Sequence, residues 1–212
     1  FQANVAIREA EGRKGSADVG LTNLAGTQLI LGRLSAAEAN LRRSILLCRE
    51  IESELHEAVA HQELGRLLAY RAHFKEAAEG LQTALTTFTK HGQTQSQGVV
   101  WAERAQRALL IGDPRAALHA ARRSRRLADQ RAREGHPNER DFIQAEWLQG
   151  AALVALAVQD QSNRTQHLNE AEAHLTDALT RCRRINLVES EPDILLAWAR
   201  WHQLKGDLAQ AR

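Results

Sequence analysis

The chain has 212 residues, of which 43% are hydrophobic, 4% are aromatic and 3 are prolines, and its formal net charge at pH 7 is +2. No apolar run reaches the roughly 20 residues that a membrane-spanning helix needs, so the sequence contains no candidate for such a span. The many alanine, leucine, arginine and glutamate residues favour helix throughout.

A recurring alanine divides the chain into similar segments. Ala37, Ala77, Ala117, Ala171 and Ala211 lie in near-copies of one phrase. They are spaced 40 residues apart, except for the interval of 54 between the third and the fourth. A fixed period of roughly 20 to 50 residues is typical of a stack of similar helical units.

The residues around each alanine predict one helix per unit, which we call helix B. In the second unit Phe74, Ala77, Leu81, Leu85 and Phe88 fall at offsets 0, 3, 7, 11 and 14. These offsets trace a single face of an α-helix. The third unit keeps the small residues of this pattern but lacks the large ones.

A second apolar helix, helix A, is predicted before each helix B. It is marked by pairs of residues that precede a tight turn by seven or eight positions, namely Leu24-Ala25, Leu64-Gly65 and Trp198-Ala199. The turn residues are Gly32, Ala72, Gly112 and Gly206. Small residues permit a tight turn and a close approach of two helices. Asp113-Pro114 has the residue types that begin a helix.

The segment from Leu64 to Leu85 resembles the tetratricopeptide repeat, with Leu64-Gly65, Ala77 and Ala84-Leu85 at matching positions. The resemblance implies an all-α fold, a right-handed α-solenoid of stacked antiparallel helix pairs. The 40-residue period exceeds the usual length of about 34 and predicts longer helices. Long repeats of this kind are similar to those of large bacterial signal-transduction ATPases and related transcription activators.

The predicted organisation is a single domain built from consecutive repeats. These cover residues 1–16 (partial), 18–57, 58–97, 98–140, 143–190 and 192–212 (partial). Because the chain has no methionine and stops as a fifth helix B begins, we expect it to be a fragment of a longer protein.

The 54-residue interval predicts two polar loops, at 133–140 and 158–166. The first contains Gly135 and Pro137, whereas the second has no large apolar residue after Val158. Each loop is either a tolerated surface insertion or a partner-contacting insertion on a binding face.

The residue patterns give no sign of enzymatic chemistry. Cys48 and Cys182 occupy the same repeat position three units apart, too far for a disulfide, and are interpreted as small core residues in a reducing compartment. The spacings of the histidines do not match a helical zinc pair, and neither a phosphate-binding loop nor a nucleophile elbow is present. We therefore predict no catalytic residue, no cofactor and no metal.

The candidate binding surface is the concave groove that helices A line in tetratricopeptide stacks. Its candidate residues are Asn23, Gln62, Glu63, Arg66, Tyr70, Glu103, Gln106, Trp147 and Arg200. Tyr70 and Trp147 are either anchors for a partner or ordinary inter-helix packing residues. The Lys/Asn/Arg set with which chaperone-binding members clamp a peptide carboxylate is missing, because Asn23 has no counterpart in the second repeat.

A second candidate surface is basic. Between Arg104 and Arg140 ten arginines occur with four acidic residues. The centre of this basic patch is Arg122, Arg123, Arg125 and Arg126. It is either a solvated outer helix face or a docking patch for an acidic partner or nucleic acid. The absence of interleaved aromatic residues disfavours nucleic acid.

These observations predict a cytoplasmic, non-enzymatic scaffold within a larger regulatory protein, which binds a partner protein, a peptide or neighbouring domains of its own chain and no membrane. The alternative is a ligand-sensing segment that controls an attached ATPase or transcription-regulator domain. Neither prediction specifies an oligomeric state.

Overall fold

A computed structural model describes residues 14–207, with side chains from Ala17 onward. Within this range nine α-helices follow one another and no strand occurs, so the all-α prediction is confirmed. The helices are α1 (Lys14–Ile30), α2 (Leu34–Glu50), α3 (Glu54–Tyr70), α4 (Phe74–Lys90), α5 (Thr94–Leu110), α6 (Pro114–Arg133), α7 (Glu139–Gln159), α8 (Arg164–Arg184) and α9 (Glu191–Lys205). The odd-numbered helices are helices A and the even-numbered are helices B. The predictions for 1–13 and for Ala211 fall outside the described residues.

Equal helix lengths explain the 40-residue period. Helices α1 to α5 each have 17 residues, and three-residue turns join them, so that a helix and its turn occupy half a period. The helix pairs begin at Lys14, Glu54, Thr94 and Glu139. These starts lie about four residues before those expected from the sequence, because the apolar pattern begins one turn inside each helix A.

The same turn joins A to B and B to A. In the turn after α3, the N–H of His73 donates to the Leu68 carbonyl at 2.9 Å and the N–H of Ala72 to the Ala69 carbonyl at 3.1 Å. This paired bonding satisfies the last carbonyls of a helix and needs one residue with positive φ. Ala72 supplies it at φ 60° and Glu52 at φ 53°, where most of the other turns have glycine.

The chain divides into two compact units between Ser96 and Gln97. In the first unit α2 packs against α1 and α3, α4 packs against α3, and α1 also contacts α3. In the second unit α7 packs against α6 and α8, while α9 contacts both α7 and α8. Contacts between successive helices, and between one helix A and the next, are the pattern of a helical repeat.

Two of the recurring alanines, Ala77 and Ala171, lie at close contacts between helices A and B, as the sequence predicts. Ala77 and Ala171 are fully buried. A Cβ atom at Gly65 of α3 would lie 3.1 Å from the Ala77 carbonyl oxygen, and one at Gly150 of α7 would lie 3.4 Å from that of Ala171. Each of these glycines also meets a buried leucine of the following helix B, Leu175 in the second unit.

We expect Gly150→Ala to lower the free energy of unfolding, although alanine is the better helix former by up to about 1 kcal/mol. The new methyl group would lie 2.6 Å from Cγ of Leu175, which is fully buried and cannot turn away. Gly26→Ala in α1 is the control, because no atom lies within 4 Å of the added methyl group. Thermal unfolding should show a lower Tm for Gly150→Ala and an equal or higher one for Gly26→Ala. A higher Tm for Gly150→Ala contradicts the contact.

The extra residues of the 54-residue interval are mostly helical. Helix α6 has 20 residues and α7 and α8 have 21 each. Because α6 ends at Arg133 and α7 begins at Glu139, only residues 134–138 of the first predicted loop lie outside a helix. The prediction of a loop over 158–166 is wrong, because α7 continues to Gln159 and α8 begins at Arg164, with a 3₁₀ turn at Gln161–Asn163 between them. The stretch is polar because it is a solvated helix junction. It contains neither glycine nor proline, the residues that would have indicated a true loop.

Candidate functional site

In the first unit the predicted groove residues differ in their exposure. Gln62 is buried, Asn23 is exposed and Tyr70 is 46% exposed at the end of α3. The structure does bring Glu63 and Arg66 together, with Arg66 Nη2 2.5 Å from Glu63 Oε2. Arg66 therefore has an ion-pair partner within its own helix.

In the second unit the predicted groove residues differ in their burial and in what they contact. Glu103 is buried and Gln106 is partly buried. Trp147 packs against the buried cluster around Ala152 and Leu153, so ordinary inter-helix packing describes it better than a free anchor. Arg200 is exposed and lines a cavity.

This cavity, the A-face cavity, lies on helices α5, α7 and α9 and has a volume of about 450 Å³. Its apolar lining is Leu109, Ala151, Val154, Ala155, Val158 and Leu204. Its polar lining is Gln159, Arg200 and Gln203. A mostly apolar depression with a few polar groups at its edge is the usual form of a ligand or peptide pocket.

The cavity exists because α7 carries small residues on this face. Gly150 of α7 is the counterpart of Gly65 of α3, since each faces the buried leucine of the following helix B. One and five positions later, α7 has Ala151 and Ala155 where α3 has an arginine and Tyr70. The short side chains leave open space between α5 and α9.

Two hydrogen bonds fix the margin of the cavity. Gln159 Nε2, at the end of α7, donates to the carbonyl of Gly112 in the α5–α6 turn at 3.1 Å. Arg164 Nη2, at the start of α8, donates to the carbonyl of Leu204 in α9 at 2.7 Å. The cavity is thus held open by the packing of regular helices, and its shape is preorganised.

Exposed apolar side chains extend the surface beyond the cavity. Leu110 is 47% exposed and Ile111 42%, and they immediately precede the turn to which Gln159 is bonded. Val158, which also lines the cavity, is 55% exposed. Arg200 is a residue that the sequence predicts for this surface, whereas the apolar residues are not. The signal that could have found them is the pair of alanines one helical turn apart on α7.

A second cavity, of about 370 Å³, lies in the first unit on α2, α3 and α4. Ile45, Leu64 and Leu68 contribute its apolar lining. Two of its charged lining residues pair with each other, with Arg42 Nη2 2.6 Å from Glu76 Oε1. Its lining is more strongly charged than that of the A-face cavity, in which Arg200 is the one charged residue among those described.

The basic patch contains three exposed arginines, Arg122, Arg123 and Arg126. Arg125 instead faces the protein, where it pairs with the buried carboxylate of Glu146 and stacks over an aromatic ring of α7. The Nε atom of Arg125 also lies 3.1 Å from Asp129 Oδ1, one turn later in α6. The charge of Arg125 is thus neutralised within the fold.

The carboxylate of Glu146 also contacts a histidine of α8. His174 Nδ1 lies 2.5 Å from Glu146 Oε2. Burial, followed by the charges of Arg122 and Arg125, lowers the pKa of His174. Because a carboxylate oxygen only accepts, the imidazole donates this hydrogen bond, and Arg125 is the arginine that pairs with Glu146.

Both cysteines are free and buried, as the sequence predicts. Burial, together with the hydrogen bond from Cys48 Sγ to Asp18 Oδ2 at 3.2 Å, raises the pKa of Cys48 to about 12. Burial also raises the pKa of Cys182, whose thiol donates to the carbonyl of Leu187. Both groups stay protonated at neutral pH and so lack the thiolate that nucleophilic chemistry requires.

Within the described range no three histidine, cysteine, aspartate or glutamate side chains are grouped as a metal site would require. Over the same residues no helix is both long and apolar enough to span a bilayer. The resemblance to the tetratricopeptide repeat rests on the repeat phrase, because no protein-family model and no curated protein matches the chain.

Proposed function

We propose that the chain is a protein-interaction module that binds a partner protein or peptide through the A-face cavity and the apolar residues beside it. The observation that carries the proposal is an apolar depression of about 450 Å³, kept open on a face of otherwise regular helices. Exposed apolar groups rimmed by polar ones are typical of interaction sites.

Two further observations support an interaction module. The buried residues of the described helices pack against neighbouring helices. The two buried thiols have raised pKa values, which keep them unreactive. The repeat pattern also supports the proposal, because stacked helical repeats present extended surfaces to partners. Placement in a larger cytoplasmic regulator is part of the proposal, and the right-handed superhelix remains a prediction.

Selection of displayed short random peptides on the immobilised 212-residue chain tests the proposal. We expect enriched peptides whose binding weakens at least about tenfold, or 1.4 kcal/mol, in Ala155→Leu, because the larger side chain fills the cavity. Ala173→Leu, an equal change at an exposed position of α8, is the matched control and should bind as the parent does. Failure to enrich any peptide, or equal binding to both variants, contradicts the proposal.

A ligand-sensing segment is the second candidate function. It is favoured by the volume of the cavity, which lies within the range of about 300 to 1,000 Å³ that is usual for small-molecule sites. A thermal-shift screen with small apolar acids tests it, since a ligand of the folded state raises the Tm. Hits that persist in Ala155→Leu would place the binding elsewhere.

A further inference from the structure

We infer that the segment occupying the A-face cavity is acidic: one aliphatic side chain enters the cavity, and a carboxylate one or two residues away pairs with Arg200. This inference rests on the proposed function and names the chemistry of the partner. It follows from the charge at the rim, from the lack of an ion-pair partner for that charge among the described residues, and from the apolar lining.

Arg200 carries an unmatched charge. It is exposed, lines the cavity and forms no ion pair with any residue between 17 and 207. Its counterpart in the first unit is Arg66, which pairs with Glu63 three residues earlier in the same helix. The residue three positions before Arg200 is Ala197, which is buried and has no charge to offer.

The neighbouring cations strengthen the local positive field. Arg164 reaches the carbonyl of Leu204 at 2.7 Å, and Lys205 lies with Nζ 5.1 Å from the ring centroid of Trp201. Three cationic side chains therefore surround the end of α9 that contributes Leu204 to the cavity. A peptide carboxylate is attracted by this field before contact and is then held by Arg200.

Three acidic residues that closely follow the lining segments in sequence have partners of their own. Asp113 accepts a hydrogen bond from the N–H of Ala116 at 3.0 Å, as a helix cap. Asp160 accepts from the side-chain amide of Asn163 at 3.0 Å. Asp207, three residues after Leu204, has its Oδ2 atom 3.7 Å from Nδ1 of His202. None of the three lines the cavity. An incoming carboxylate thus meets an arginine that has no ion-pair partner in the part of the chain that the structure describes.

The apolar lining explains why the ligand also needs an aliphatic side chain. Ala151, Val154, Ala155 and Leu204 offer no hydrogen-bonding side chain, so a polar group entering the cavity would lose its water without compensation. An aliphatic side chain gains about 25 cal/mol for each Å² that it buries. Because Arg200 borders the same cavity, the carboxylate must lie close in sequence to the aliphatic residue.

The peptides enriched on the 212-residue chain test this inference. We expect them to share leucine, isoleucine or valine within two residues of aspartate or glutamate. Fluorescence anisotropy of the most enriched peptide should show binding weakened about tenfold or more by Arg200→Glu. Arg126→Glu, the same reversal at an exposed arginine of the basic patch, should change it little.

A charge exchange separates a direct contact from a structural effect. A peptide in which lysine replaces the acidic residue should bind Arg200→Glu better than it binds the parent chain. Gln203→Glu provides a second variant, because a glutamate three residues after Arg200 supplies the internal partner that the helix lacks. It should also weaken the acidic peptide, and circular dichroism should show unchanged helix content in both variants.

The outcomes distinguish the two proposals. Enriched peptides that are neutral or basic and insensitive to Arg200→Glu overturn the inference but leave the proposed function intact, provided that Ala155→Leu still weakens them. Absence of any enriched peptide overturns both. Equal weakening by Arg126→Glu and Arg200→Glu would show a general charge effect and also overturns the inference.

Discussion

Replacement of Ala171 by leucine should lower the free energy of unfolding by about 1–3 kcal/mol, the usual cost of overpacking a close-packed core. Ala171 is fully buried, and its carbonyl oxygen would lie 3.4 Å from a Cβ atom at Gly150. The added branches have no space between α7 and α8, so one of these helices must shift. The same reasoning applies to Ala37 and Ala77, which are also fully buried.

Ala173→Leu is the matched control, because it makes the same change two residues away at an exposed position of the same helix. It should change the stability by less than about 0.5 kcal/mol. Urea unfolding, followed by circular dichroism, measures both variants. Equal midpoints for Ala171→Leu and the parent chain would show that this alanine does not lie at a tight contact.

The second large effect is expected from Arg125→Met. Removing the arginine leaves the carboxylate of Glu146, which is 3% exposed, without a positive partner. Breaking one side of a buried ion pair typically costs about 3 to 5 kcal/mol. We expect the lower end of this range, about 3 kcal/mol, because the guanidinium of Arg125 is partly exposed.

Arg126→Met, the same change one residue later at an exposed position, should cost less than about 0.5 kcal/mol. The double variant Arg125→Met/Glu146→Gln should be more stable than Arg125→Met alone, because the buried charge is then removed. Thermal and urea unfolding of the parent chain, Arg125→Met, Glu146→Gln and the double variant complete a double-mutant cycle. Equal stability of the two arginine variants would contradict the ion pair.

Much of the fold could be predicted from short stretches of sequence. Offsets 0, 3, 7, 11 and 14 from Phe74 placed the buried face of α4, and each of these residues except Phe74 is buried in the structure. The recurring alanine correctly indicated where helices A and B meet. These predictions succeeded because helix periodicity and small-residue contacts are properties of neighbouring positions.

The predictions that were wrong concern stretches whose residue types are compatible with two different structures. The polar stretch 158–166 was predicted to be a loop, but a solvated helix junction has the same composition. The basic patch was described as four arginines, but the structure turns Arg125 inward. Nothing in the run of arginines distinguishes that position from Arg126, because its partner lies in another helix.

The sequence by itself therefore determined the helical repeat, the alternation of helices A and B and the close contacts at Ala77 and Ala171. The tertiary structure decided which charges are buried and where a cavity opens. Glu146 contacts a histidine 28 residues later in the chain. The A-face cavity is bounded by three helices that are not adjacent in sequence, α5, α7 and α9. Charge pairing and empty volume depend on such distant residues, whereas helix formation depends on near ones.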